Sequence, residues 1–193
     1  MTIRSATLED VAELQSLIAA SARELGRREY TVEQIEAALG SAWGVDTQLI
    51  RDGTYFVLMN EDTLVACGGW SKRKALFGAD ALTRGEPELL NPTRDAARIR
   101  AFFVHPGWAR RGIGTLLLEK CESEAHAAGF RSAELVATLP GEKLYERFGY
   151  QSLGPREYPL RDGLTITFVP MKKDSLTPTD QAPACNRLAN PDR

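Results

Sequence analysis

Chemistry is concentrated in one stretch of this chain, His105-Pro106-Gly107-Trp108-Ala109-Arg110-Arg111-Gly112-Ile113-Gly114-Thr115. It follows the apolar run from Ile99 to Val104 and precedes a helical pattern from Leu116 to Ala128. A strand therefore ends here, a basic glycine-containing loop turns, and a helix starts. The first amides of a helix lack internal partners, and the macrodipole places partial positive charge beside them. Gly112 and Gly114 carry no side chain, so a phosphate can approach the backbone closely. Arg110 and Arg111 add mobile positive charge. The combination suits a pyrophosphate.

Spacing separates the possible phosphate loops. A dinucleotide fingerprint G-x-G-x-x-G fails because its third glycine position holds Leu117. A Walker loop needs Gly-Lys-Ser/Thr at its end, and Gly114-Thr115-Leu116 does not supply it. A third pattern, Gln/Arg-x-x-Gly-x-Gly/Ala, falls on Ala109 to Gly114, with Ala109 in place of the usual Gln or Arg and Arg110 beside it. Two further segments accompany the loop. One is Leu144-Tyr145-Glu146-Arg147-Phe148-Gly149-Tyr150; the other is Ile3-Arg4-Ser5-Ala6-Thr7-Leu8-Glu9-Asp10.

Together these three segments resemble the GNAT N-acetyltransferase superfamily, in its order and at its usual separations. The loop resembles motif A, residues 144–150 the late LYxxxGF segment with Tyr150 for the final Phe, and residues 3–10 the IRxAxxxD opening. The resemblance runs from Thr2 to Lys172. It implies an α/β (α+β) three-layer fold with a central, mixed but mostly antiparallel sheet of about six to seven strands flanked by helices. It implies acetyl-CoA as cosubstrate, without a metal, and direct acetyl transfer to a primary amine of a small molecule or peptide.

The resemblance also assigns roles. The amides of Arg110, Arg111, Gly112, Ile113, Gly114 and Thr115 hold the pyrophosphate. The pantetheine arm lies along Phe102, Phe103 and Val104 like an added strand, and a backbone N–H there stabilises the thioester oxygen. The Phe102 and Phe103 side chains suit a plain core equally well. Tyr145 matches the position that assists the departing thiolate. Reference pKa values of about 10 for tyrosine and about 8.5 for a thiol make full proton transfer uphill, so a hydrogen bond is its expected contribution. Thr138, seven residues before Tyr145 where relatives often have Asn, either holds pantetheine or caps the helix. The strand before the loop offers Arg98 and Arg100 but no carboxylate. Glu134 on the neighbouring strand is the candidate base, acting through water, against a structural or solvated role. His105 reads as a strand-end residue.

These residues need elements to position them. At 193 residues the chain suits one domain with a full core. Helical spacing covers Leu8 to Leu25, and Thr31 to Gln34 reads as a capping box opening a second helix to Leu39. Strand patterns cover 54–59 and 63–70, joined at Asn60-Glu61-Asp62, then 98–104 and 132–138. Ile113, Leu117, Cys121 and Ala125 form the buried ridge of the helix between the last two. A short helix over 140–148 is followed by a hairpin-like pair, 150–153 and 164–171, with a short strand at Thr2–Ala6. The expected domain is 1–172. Ser71 to Ala96 is a long connection read as a surface loop or an acceptor lid, and 173–193 reads as a disordered tail.

Composition excludes other classes. A net charge of −2 gives no basis for binding nucleic acid, and no apolar run is long enough for a membrane. Cys67, Cys121 and Cys185 have no metal spacing and read as thiols of a cytoplasmic protein, the first two in the core. A homodimer is compatible with the resemblance. Two other functions stand beside the enzyme: a non-catalytic acyl-CoA-binding or sensory module on the same fold, and an interaction protein using Trp43, Tyr55, Trp70 and Phe77.

Overall fold

Two apolar clusters, one on each face of a single sheet, organise the computed structural model, which describes residues 1–39, 41–74 and 88–176. The elements are β1 (Thr2–Ser5), α1 (Val11–Gly26), α2 (Val32–Leu39), α3 (Thr47–Arg51), β2 (Tyr55–Asn60), β3 (Thr63–Ser71) and β4 (Ala97–Val104). They continue with α4 (Ile113–Ala127), β5 (Ala133–Thr138), α5 (Glu142–Arg147), β6 (Gln151–Ser152), β7 (Arg156–Pro159) and β8 (Thr165–Lys173). The sheet runs β1-β2-β3-β4-β5-β8-β6, with β7 also pairing β8. Every pair is antiparallel except β4 with β5. A parallel pair needs a crossover, and α4 supplies it.

The helical ridge read from the sequence packs as expected: Ile113, Leu117, Cys121 and Ala125 are all buried against one face. On the other face lie Leu14, Leu17 and Ile18 of α1 with Ile35 of α2. The Thr31 capping box is present. Gln34 N donates to Thr31 Oγ1 at 3.2 Å, and Thr31 N donates to Gln34 Oε1 at 3.0 Å. Trp43, Tyr55 and Trp70 are buried, so they form no surface for a partner; Phe77 lies outside the described residues. Cys67 and Cys121 are free and buried, and Cys185 also lies outside the described residues. Among the described residues no helix is long and apolar enough to cross a membrane.

Four differences from the sequence reading have local causes. First, α4 begins at Ile113 rather than Leu116, because Gly112 turns the chain immediately before it. Second, α3 arises where Asp46 caps the Leu49 amide at 3.1 Å, a short helix without a full apolar period. Third, residues 150–164 hold two strands, β6 and β7, both laid against β8, which brings the sheet to eight strands. Fourth, the boundary expected after Lys172 falls inside β8. The Lys173 ammonium pairs with the buried Glu122 carboxylate at 2.7 Å and lies over the Phe148 and Tyr150 rings. Leu176 is buried, and its amide donates to Arg131 O at 2.7 Å. The remainder of the expected tail, 177–193, lies outside the described residues.

A chain ended at Lys173 should therefore lose about 2–4 kcal/mol, from one buried leucine and one hydrogen bond. At this size that lowers the melting temperature by roughly 5–10 °C. An unchanged thermal transition would show that Leu176 adds nothing to the fold.

The long connection is anchored at its roots. Lys74 N donates to Glu88 O, Leu90 N donates to Lys72 O, and the Arg73 guanidinium meets Asp52 at 2.7 Å. Residues 75–87, where most of the expected lid falls, lie outside the described residues.

Candidate active site

The site is made by two strands that start together and part. β4 and β5 are paired only through Ala97↔Ala133, Arg98↔Glu134 and Ile99↔Leu135. Beyond that, β4 stays with β3 through Val104 and β5 stays with β8 through Thr138. Their inner edges separate into a slot. Unpaired strand edges present N–H and C=O groups that call for partners.

A bulge in β4 sets what faces the slot. The β3 register steps from Cys67↔Phe103 to Gly69↔Arg100, so β4 carries an extra residue there. Ala101 takes a left-handed φ of +60°. Its carbonyl receives the Tyr55 hydroxyl at 3.4 Å and the Cys67 thiol at 3.7 Å, and those two groups lie 3.2 Å apart. Burial pushes both groups up, the Cys67 thiol to about 12, so both remain protonated donors. Past the bulge, His105 N donates back to Val65 O of β3. Val104 N points the other way and donates to Ser21 Oγ of α1 at 3.3 Å. By the two-residue alternation of a strand, the Phe102 N–H faces the same side, into the slot. The Phe102 side chain joins the α4 cluster and the Phe103 side chain the α1 cluster, so both are core residues whose backbone borders the slot.

The basic loop sits at the wide end. His105 accepts from Gly107 N at 3.2 Å through Nδ1 and caps a 3₁₀ turn, the strand-end role expected of it. Arg110 is left-handed at φ +66°, which costs a non-glycine residue of order 1–3 kcal/mol. Gly112 is left-handed at φ +80° and is the N-cap of α4, with no side chain capping the helix. A Cβ at Gly112 would meet nothing within 4 Å, so the space on that side of the helix start is open. Gly114 is small for a different reason: a Cβ there would lie 3.0 Å from Leu144, and its absence lets α5 close on α4. The Arg111 guanidinium stacks on Trp108 at 5.0 Å, and Arg110 and Arg111 are exposed. Ile113 is a core side chain whose amide opens the helix, and Thr115 is half-buried in the first turn.

Tyr145 stands on α5 across from Phe102, with ring centroids 6.2 Å apart at a tilt of 68°. The residue is 8% exposed, and desolvation, not a hydrogen bond, dominates the environment of its hydroxyl. Burial pushes its pKa well above the usual tyrosine value. Thr138 ends β5 nearby; both Thr138 Oγ1 and the Tyr145 ring border the space beside Gly141. The Thr138 side chain makes no cap bond to the following turn, so the capping alternative is not used.

Glu134 lies away from this group, at the closed end of the slot and on the opposite face. Its carboxylate is ion-paired with the Arg98 guanidinium across the last parallel pairs. Arg100 is paired with the buried Asp46 at 2.9 Å. The structure therefore brings together Phe102, Val104, Thr138 and Tyr145 along the slot, with the 110–115 loop at its mouth, and sets Glu134 apart.

Four supporting residues had roles the sequence did not show. Ser21 occupies the apolar face of α1 three residues past Ile18, and a polar residue in that stripe was a readable signal. Tyr30 donates to Thr167 O at 2.9 Å and accepts from Leu139 N at 2.8 Å, fixing the far rim of the slot. Burial raises its pKa to about 12. The Tyr55–Cys67 pair had no local signal. Among the described residues no group of acidic, His and Cys side chains could hold a metal ion.

Residues 14–150 match the family model described as Acetyltransferase (GNAT) family. No curated protein matches the chain. Among solved structures, a GCN5-related N-acetyltransferase from Rhodopseudomonas palustris aligns with a TM-score of 0.66 at 20% identity, over 90% of this chain and 94% of that one. The PaiA N-acetyltransferase from Thermoplasma acidophilum, solved with coenzyme A, gives 0.62 at 14% identity over 90% and 98%. A ribosomal-protein-alanine N-acetyltransferase from Brucella melitensis gives 0.59 at 16% identity over 90% and 99%. At these identities the likeness is one of fold.

Proposed function

The chain belongs to the GNAT acetyltransferase family, and from that premise we propose that it moves an acetyl group from acetyl-CoA directly to a primary amine of a small molecule or peptide. The slot between β4 and β5, leading to the uncapped N-terminus of α4, is the observation that carries this reading. The neighbour solved with coenzyme A supports the same donor here.

The residues present fit that donor. The amides from Arg110 to Thr115 and two exposed guanidiniums suit a pyrophosphate, and the open space at Gly112 admits it. The Phe102 N–H, aimed into the slot beyond the bulge, suits an oxygen gaining negative charge. The Val104 and Thr138 positions line the path between them. Acetyl-CoA supplies an activated acyl group on a thiol leaving group. Tyr145 donates a hydrogen bond to the sulfur as it departs. Its raised pKa argues further against full proton transfer and keeps the hydroxyl a donor at alkaline pH. A neutral amine then needs only water to carry its proton away; Glu134, the candidate base, is held by Arg98 apart from Tyr145 and Phe102.

Incubation with acetyl-CoA and a panel of primary amines should release free thiol and form N-acetyl product in equal amounts. Binding of acetyl-CoA with no product from any amine would leave the non-catalytic module as the reading.

A further inference from the structure

We propose that the acceptor carries a carboxylate beside its amine, as a free amino acid does, and that Arg98, Arg156 and Glu134 select it; this rests on the acetyl-transfer reading above. A cavity of about 160 Å³ touches Ile99 and Leu135, the last paired residues of β4 and β5. It therefore adjoins the point where the slot begins. Ile99, Leu135 and Ala137 face the α4 cluster, so Arg98, Glu134 and Val136 face the other side of the sheet. The cavity thus opens on the face opposite α4 and α5. An acceptor there would approach the acetyl group from the side away from the basic loop.

The charges around this cavity are unbalanced. Arg98 and Glu134 are paired with each other, which leaves Arg156 as the uncompensated positive group of the wall. Lys172, opposite Glu134 in the register, is already taken up by Asp174 at 3.3 Å. A purely cationic acceptor, such as a polyamine, meets a net positive wall. A zwitterion complements it, bridging the Arg98–Glu134 pair with its ammonium toward Glu134 and its carboxylate toward Arg98 and Arg156. The planar guanidinium fork fits a carboxylate in two-point contact. Arg98 has a reason to take such a partner. Its side chain is only 18% exposed, and its Nε is buried with no hydrogen-bond partner among the described residues. Buried donors of that kind are ordinarily satisfied by water or ligand. Tyr158, Leu153 and Val136 supply apolar wall for a side chain. The volume is well above the ~10–15 Å³ that a single water needs and leaves room for one small amino acid.

The test compares small apolar amino acids with their carboxamides, which keep the amine and lose the carboxylate charge. Calorimetry on the full chain with coenzyme A bound should show each acid binding at least about tenfold tighter than its amide. Arg156 is exposed on β7, so Arg156→Gln should fold normally and bring that ratio toward one. Glu134→Gln should weaken acid and amide alike. Equal binding of acid and amide in the parent chain, or tighter binding of spermidine, would overturn the proposal. Tight, Arg156-dependent binding of the acid without acetyl transfer to any amine would uphold this site and overturn the proposed activity instead.

Discussion

Replacing Tyr145 by phenylalanine should lower kcat by roughly ten- to a thousandfold, the range for losing one charge-directed hydrogen bond or a general acid. Acetyl-CoA affinity and folding should hardly change. The ring keeps its edge contacts with Phe102 and Tyr150, at 6.2 and 5.9 Å between centroids. Burial rather than a hydrogen bond dominates the setting of the hydroxyl, so its removal costs the fold little. A thioester in its ground state carries little charge at sulfur, so the interaction grows only as the bond breaks. A second expectation follows from burial. Because the Tyr145 pKa is raised, its ionisation should not impose an alkaline limb on kcat. Both are read by steady-state kinetics across pH, with single-turnover measurements to identify the chemical step. An unchanged rate of that step in Tyr145→Phe would remove the hydroxyl from the mechanism.

Gly112→Asp should weaken acetyl-CoA binding by at least about a hundredfold while the protein stays folded. Aspartate is among the few side chains that tolerate the left-handed conformation Gly112 adopts, and the space for its Cβ is open. Its carboxylate would accept the first-turn amides of α4, which no side chain caps. That satisfies internally the donors a phosphate would use and sets a like charge against it. Losing two or three charge-assisted hydrogen bonds accounts for the magnitude. Gly112→Ala separates the causes, because it adds the Cβ and its backbone strain but no charge. Calorimetry with coenzyme A on both variants distinguishes them. Full affinity in a folded Gly112→Asp protein would move the phosphate site elsewhere.

The basic loop was legible because its determinants are local. A strand end, two arginines and a glycine at a helix start lie within a few residues, and each acts through the backbone beside it. The same holds for the 144–150 segment, where Gly149 turns left-handed and the Tyr150 amide donates back to Tyr145 O at 3.1 Å. The buried ridge of α4 and the Thr31 capping box were legible for the same reason, since periodicity and spacing act within one element. The sequence by itself thus determined the strand–loop–helix turn at Gly112 and most of the helices and strands around it.

Only the tertiary structure decided the slot, the bulge and the cavity. Parting of β4 from β5 depends on each strand having a second partner, β3 on one side and β8 on the other. The left-handed bulge falls on Ala101, which carries no sequence signal for that conformation. Its carbonyl is held by Tyr55 and Cys67 from two other strands. Lys173 read as the start of a tail because its partner, Glu122, lies far back in the chain on α4. Arg98, Glu134 and Arg156 have no meaningful spacing along the chain, and they meet because three strands bring them to one face of the sheet. Local patterns fix what a backbone segment can do. Which side chains converge on one cavity is set by strand pairings between residues distant in sequence.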